Sequence, residues 1–532
     1  MNYSILLGLL VIYLGLTVLL AYIAYRRTNS SKDYLIAGGD THPFLMAMAY
    51  GSTFISTAAI VGFGGAAGVY GMSLLWLTFM NIFVGIFIAF IVYGKRTLTI
   101  GKQLGARTFP EFMGLAFQSS FIQKFSALII IVAMPIYAAA VMIGAGRFLE
   151  HLLNIDYTLA ILGFSVIVAL YVISGGLKGV FYNDALQGSI MFFGMVTLLI
   201  MTYGKLGGVI NAHKALASLT SLVPQGLAAK GQVGWASMPV FGSEIWWIVV
   251  STLVMGVGIG VLAQPQLIVR YLTVSGIRQL NRAVLIGGIF ILSSTGVAFL
   301  VGALSNVYFY QTKGIISLQA VTDAVTKQPN VDNIIPLFVN QALPEWFGYL
   351  FMLTLVAAAM STLSGQFHII GTSLCHDLYR SSSLALNRIA ILIALAISVY
   401  LALKLPVSII AIATAIFFGI CAAAFLPAYT ASLYWPKVGK KAASASMVVG
   451  FSSSLLWMAF IHAKEAQALG LAKLLFGRAT LLSFPWIVVD PIIIALPISI
   501  ITLILVHVFV EIPQQITEKK ELDNTLTALS GE

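Results

Sequence analysis

Hydrophobic positions in this chain run in long unbroken stretches and do not alternate with polar ones. Thirteen stretches are long enough to cross a hydrocarbon layer of about 30 Å, which takes roughly 17–25 helical residues each. They fall near 3–25, 43–70, 72–94, 121–146, 157–174, 180–203, 245–272, 283–309, 347–372, 384–403, 406–434, 443–463 and 484–511. A membrane barrel would show short segments of alternating polarity, and the chain has none. The first stretch lacks the small-residue cleavage site of a signal peptide and reads as a helix. The pattern predicts an all-α integral membrane protein. One transmembrane domain covers 1–511, and a polar tail covers 512–532.

Composition sharpens this picture. Of 532 residues, 59% are hydrophobic and 9% charged, against about 25% charged in a soluble domain. So little polar surface excludes a soluble enzyme, a disordered chain and a nucleic-acid binder. The net charge of +11 then bears on orientation, because cytoplasmic loops collect Lys and Arg. With the N-terminus outside, nineteen of the 29 Lys and Arg residues fall in inner loops, including Arg26, Lys95, Arg107, Lys178, Arg270, Arg278, Lys437 and Lys519. That bias predicts a multi-pass plasma-membrane protein with a cytoplasmic C-terminus. Cys375 and Cys421 both lie in apolar stretches and suggest no disulfide framework.

Two spans break the pattern. The second contains Gly62, Gly64, Gly65 and Gly68, and the seventh contains Gly256, Gly258, Gly260 and then Gln264-Pro265. Glycine costs about 1 kcal/mol in a helix interior and proline about 3 kcal/mol. Such clusters suggest backbone that leaves helical geometry, tolerated at membrane depth only beside a cavity or buried partners. Close helix packing through small residues is the alternative. The clusters lie five spans apart, which divides 43–203 and 245–434 into two five-helix halves of opposite orientation. Paired interrupted spans in corresponding positions point to the binding site of a secondary transporter.

Polar residues inside the spans supply the chemistry. Ser361 and Ser364 share a helix face, Thr362 stands beside them, and Ala357–Ala359 permit close approach of a neighbour. Neutral hydroxyl and carbonyl oxygens suit a small hard cation that must leave again; each hydroxyl bonding its own helix is the competing explanation. Asp184, near the inner end of the sixth span, is a functional candidate by cost alone. Its alternatives are an interfacial position or pairing with Lys178. His376 and Asp377 read as interfacial, and Asp490 as structural. His368 is a candidate proton carrier, with simple hydrogen bonding the commoner role. Tyr137, beside Pro135, is a candidate ligand-facing aromatic. Neither a phosphate-binding loop nor a dinucleotide fingerprint is present. Metal clusters and nucleophile–base pairs are also lacking, so the chain reads as a non-enzyme without cofactor.

At these residues the sequence resembles the sodium:solute symporter family, which includes sodium/proline, sodium/pantothenate, sodium/monocarboxylate, sialic acid and sugar symporters. The likeness runs over roughly 10–435. Phe54-Ile55-Ser56, Gly144–Glu150, Ser174–Lys178 with Asp184 and Gln187, and Ala358–Thr362 with Gln366 and His376–Tyr379 carry it. The resemblance implies a LeuT-like fold of thirteen helices with two inverted five-helix repeats. It implies a sodium ion held by carbonyls of Ser52, Ile55 and Ala358 and hydroxyls of Ser361 and Thr362. Asp184 matches an acidic position that serves a second sodium in some members, so one or two ions stay open. The substrate would meet the breaks of spans two and seven, at Ser56, Gly62, Tyr137, Val257, Val261 and Gln264. Phe54, Val257 and Val261 depart from the proline branch, whereas Tyr137 matches it. An apolar pocket with few charges disfavours a sugar and leaves a small carboxylate or zwitterion.

The expected function is sodium-coupled import of a small organic solute by alternating access, with sodium as coupling ion and the lipid bilayer as surroundings. One rival is a proton-coupled carrier relaying through Asp184 or His368. Another is a ligand sensor on a transporter fold, for which the tail is short.

Overall fold

One helix, Glu345–Thr372, is buried without interruption from Thr354 to Thr372. A helix apolar on all sides belongs in the interior of a bundle, and the other helices pack around it. The computed structural model describes residues 3–27, 31–323, 327–381, 383–406 and 408–514. These form helices and turns, with one isolated bridge between Thr322 and Pro329. Residues 515–532 of the expected tail lie outside the described residues.

Nine elements matter for the site. They are α1 (Tyr3–Arg26), α2 (Pro43–Phe54), α3 (Gly64–Tyr70), α4 (Ser120–Leu153), α5 (Tyr157–Lys205), α6 (Val257–Gly260), α7 (Pro265–Tyr271), α8 (Glu345–Thr372) and α9 (Ile410–Tyr434). The central α8 packs against α2, α4 and α5. At the periphery, α1 leaves Leu7, Val11, Ile12 and Val18 exposed, an apolar face fit for lipid contact. Eleven helical segments among the described residues are long and apolar enough to cross a membrane, and Tyr157–Ala169 is a shorter apolar one.

Every expected stretch falls mainly on helix, but the boundaries differ. The second and third meet at Gly71, whose φ of 71° places it in the left-handed region. The spacing places a turn near Gly175–Gly179 between the fifth and sixth; instead the backbone is helical from Tyr157 to Lys205. Glycine lowers helix propensity without removing a hydrogen bond, and no proline interrupts this stretch. The last helix begins at Ile492, later than expected at 484, because Pro485 and Pro491 precede it.

The two broken spans are present, though the glycine clusters are not where they open. The second span opens at Ile55, which is extended at φ −89° and ψ 95° and caps α2 with a 2.8 Å bond from its N–H to the Gly51 carbonyl. Ser56 restarts the helix, its carbonyl accepting from the Ala59 and Ile60 amides. The glycines beyond lie in continuous helical turns and serve close packing. A Cβ on Gly62 would come within 2.5 Å of Ile410, and one on Gly65 within 2.3 Å of the Val331 carbonyl oxygen. The seventh span opens at Gln264, extended at φ −82° and ψ 112°, as the residue before a proline must be.

Candidate functional site

The break at Ile55 lies against the hydroxyl-rich middle of α8. Ser361 Oγ donates to the Ser52 carbonyl at 2.8 Å and approaches the Ala358 carbonyl at 3.2 Å. Thr362 Oγ1 lies 3.3 Å from the Ser52 carbonyl and 3.2 Å from that of Thr53. Both hydroxyls thus turn toward α2 in addition to any bond within their own helix. Ser364 instead bonds the Ser361 carbonyl at 3.0 Å, the local alternative that applied to all three. Ser52, Thr53, Ala358, Ser361 and Thr362 are fully buried. Ile55 lies at the chain break, where its ψ of 95° turns its carbonyl off the helix axis.

These are neutral oxygens, and a hydroxyl can turn its proton away to offer a lone pair. A donor set of carbonyls and hydroxyls suits an alkali cation and not a transition metal, which prefers nitrogen or sulfur. No group of three His, Cys, Asp or Glu able to hold a metal occurs among the described residues.

Asp184 is not paired with Lys178. It is fully buried, and its Oδ2 lies 3.1 Å from Arg270. Lys178 pairs with Asp33 at 3.0 Å. Arg270 itself, counted among inner-loop charges by sequence, is 1% exposed on α7. It also donates to the Thr53 hydroxyl, and its guanidinium sits 5.1 Å from the Phe181 ring. Asp377 is likewise buried within the protein, accepting from Thr108 at 2.8 Å and Gln123 at 3.0 Å. His376 lies 3.3 Å from Glu111. Asp490 accepts from the Ile492 amide at 3.0 Å, a helix-start role. His368 packs against the Tyr34 ring at 5.4 Å.

A cavity of about 20 Å3 adjoins the break, lined by Ile55, Ser56, Tyr137 and Val257 together with Asn81, Thr295, Thr414 and Phe418. That volume holds about one water, so an organic solute requires these walls to part. Tyr137 forms one aromatic wall of this cavity. Its hydroxyl is 3.4 Å from Ser56 Oγ, and its ring stacks on Phe417 at 5.4 Å. Of the six candidate substrate residues, Ser56, Tyr137 and Val257 line this cavity and three do not. Gly62 faces Ile410, Val261 lies against Gly85, and Gln264 donates to the Gly260 carbonyl at 3.0 Å. Asn81, Thr295 and Thr414 were missed, although each is a polar residue inside an apolar span, the signal that singled out Ser361.

Residues 34–450 match the sodium:solute symporter family. The chain belongs to this family. Its relatives include the osmoregulated proline transporter OpuE of Bacillus subtilis, 27% identical over 84% of this chain and 87% of that protein. The sodium/pantothenate symporter of Haemophilus influenzae is 29% identical over 86% of this chain and 90% of its own length. Among solved structures, a Na+-coupled sialic acid symporter in a substrate-bound outward-open state superposes with a TM-score of 0.73, at 17% identity over 96% of this chain and 98% of that one. MhsT in complex with L-phenylalanine gives 0.50 at 15% identity, over 88% and 97%. Family and relatives are transporters, and the fold is that of such symporters.

Proposed function

We propose that this chain is a sodium-driven symporter that imports a small carboxylate or zwitterion by alternating access. An amino acid such as proline, pantothenate and a monocarboxylate are the solutes of choice. The observation that carries this reading is the crossing of Ser361 and Thr362 hydroxyls onto the Ser52 and Thr53 carbonyls. A cation there would bind α2 to α8, the two elements that flank the break at Ile55. The solute would enter the cavity at Ser56, Tyr137 and Val257 once the aromatic wall swings away. Proline and pantothenate relatives and a small lining of aromatic, aliphatic and a few neutral polar side chains, with no charged one, favour a small, weakly charged solute.

In this reading spans two to six and seven to eleven are the inverted halves that rock about the site. The Lys/Arg-rich end faces the cytoplasm, and the protein sits in the plasma membrane. The binding of ion and solute must strengthen each other by the same factor. Uptake of proline and of pantothenate into proteoliposomes, with and without a sodium gradient, tests the assignment. Thr362→Val removes one ligand oxygen while keeping shape. Losing one hydrogen-bonding group to a charge costs about 1.5–3 kcal/mol, so the sodium concentration for half-maximal uptake should rise on the order of tenfold to a hundredfold. Thr362→Ser should stay near wild type. Uptake driven by a pH gradient in sodium-free buffer would instead establish proton coupling.

A further inference from the structure

We infer that Arg270 is a positioning residue that links the ion site to α7, so that filling or emptying the site controls how firmly this half-helix is docked. The inference rests on the sodium reading above and deepens it. Thr53 is the hinge of the argument, because its two ends face two different sites. Its carbonyl accepts from Thr362 at 3.2 Å, among the oxygens of the candidate ion site. Its hydroxyl lies 3.3 Å from the Ser361 carbonyl and accepts from the Arg270 guanidinium. No other residue stands between the ion-site backbone and Arg270 along this path.

The surrounding packing is built for that approach. A Cβ on Gly365, one turn beyond Ser361, would sit 3.1 Å from Thr53 Cγ2 and 3.3 Å from the Arg270 guanidinium. The glycine therefore lets Thr53 and Arg270 lie directly on α8. Charge is balanced within the same cluster, where Asp184 Oδ2 is 3.1 Å from Arg270 and 3.5 Å from the Thr53 hydroxyl. Without that carboxylate, the guanidinium would repel a cation held on the other face of Thr53. Beyond Arg270, the Thr273 carbonyl accepts from the Thr41 amide at 2.9 Å, so the turn after α7 is also anchored next to α2.

The consequence follows from the stiffness of threonine. A branched Cβ leaves few side-chain rotamers, so fixing the Thr53 backbone fixes where its hydroxyl points. A cation drawing the Ser52 carbonyl and the Ser361 and Thr362 hydroxyls inward holds α2 against α8. The Thr53 hydroxyl then stays under Arg270 and α7 stays docked. Departure of the cation loosens α2 and with it the grip on α7, which forms one side of the broken seventh span. Ion release and opening at the Lys/Arg-rich end thereby become one event.

Hydrogen-exchange mass spectrometry on the full-length protein in lipid nanodiscs, in saturating sodium against potassium, tests this without a solute. In the wild type, sodium should slow exchange by about tenfold, a typical coupling between sites, in segments 52–56, 358–362 and 265–273. In Thr53→Val the slowing at 358–362 should persist, while 265–273 should return to its potassium rate. Thr53→Ser, which keeps the hydroxyl but loses the branched Cβ that aims it, should restore part of the slowing. Arg270→Lys keeps the charge beside Asp184 but loses the guanidinium fork, and should reproduce the valine result should that variant fold poorly. Protection of 265–273 that survives both Thr53→Val and Arg270→Lys overturns the inference. So does sodium protection confined to 52–56 and 358–362 in the wild type, which leaves the ion site standing. Absence of sodium protection everywhere sinks the sodium reading and this inference together.

Discussion

Arg270 and Asp184 show how differently two buried charges announce themselves in a sequence. A carboxylate inside an apolar stretch is conspicuous, and Asp184 was singled out on cost alone. An arginine at the end of a stretch looks like any cytoplasmic loop charge, and only tertiary packing turns Arg270 inward at 1% exposure. Their pairing carries a stability consequence. Removing one partner of a buried pair leaves the other uncompensated and costs about 3–5 kcal/mol. Arg270→Gln alone should therefore lower the melting temperature in detergent sharply. The double variant Arg270→Gln/Asp184→Asn, which leaves no net charge behind, should recover most of that loss. Equal melting temperatures for the single and double variants would mean that the pair is not electrostatically coupled. Ser361 and Thr362 were legible because hydroxyls interrupt an apolar run. Gly62, Val261 and Gln264 do not line the cavity, because a broken span does not reveal which face of each half meets it.

The same limit operates among the elements. Proline dictates the conformation of the residue before it, so the opening of the seventh span at Gln264 could be read directly. The second span contains no proline. At its opening near Ile55, hydroxyls of Thr53, Ser56 and Thr57 find partners on other helices, such as the 2.6 Å bond from Thr57 to the Val141 carbonyl on α4. Glycines count was a poor guide to that break, since most of them serve close packing. Gly71 is the exception with a backbone reason. It combines φ 71° with a position where a Cβ would lie 2.2 Å from the Trp235 carbonyl oxygen, the same oxygen that accepts from the Met72 amide at 2.7 Å. At φ 71° and ψ −151°, a region open essentially to glycine, Gly71→Ala should add a strain of about 1–3 kcal/mol to a backbone clash and undock the loop around Trp235. Gly105 has φ 69° with nothing near its missing Cβ, so Gly105→Ala should show the strain alone. Thermal unfolding of the two variants side by side separates these contributions, with Gly71→Ala expected to be clearly the less stable.

Across the whole molecule, charge sets the conditions under which the machine works. On the loop between Lys313 and Glu345, Asp332 is 2% exposed. Burial pushes its carboxyl up to about 7, opposed by the Arg147 charge and by amides of Ser408–Ile410 at the start of α9. A carboxyl raised in the folded state binds its proton more tightly there than when unfolded. Stability from this group is therefore greatest at acid pH and is lost as pH rises through about 7. The melting temperature should fall between pH 5 and pH 8 by an increment that Asp332→Asn abolishes, and an unchanged slope in that variant would remove Asp332 as its source. The ion site raises the larger question, for its candidate ligands are all neutral, and a sodium held there keeps its full charge through the membrane field. An inside-negative potential of about 100 mV contributes about 2.3 kcal/mol per charge, about fiftyfold in accumulation. A zwitterion such as proline moving with one sodium carries one net positive charge, whereas an anion such as pantothenate moving with one sodium carries none. A potassium diffusion potential imposed on proteoliposomes should therefore raise proline accumulation steeply and leave pantothenate accumulation unchanged. Potential-driven pantothenate uptake would require a second cation per cycle, and Asp184, already facing Arg270, would have to accommodate it.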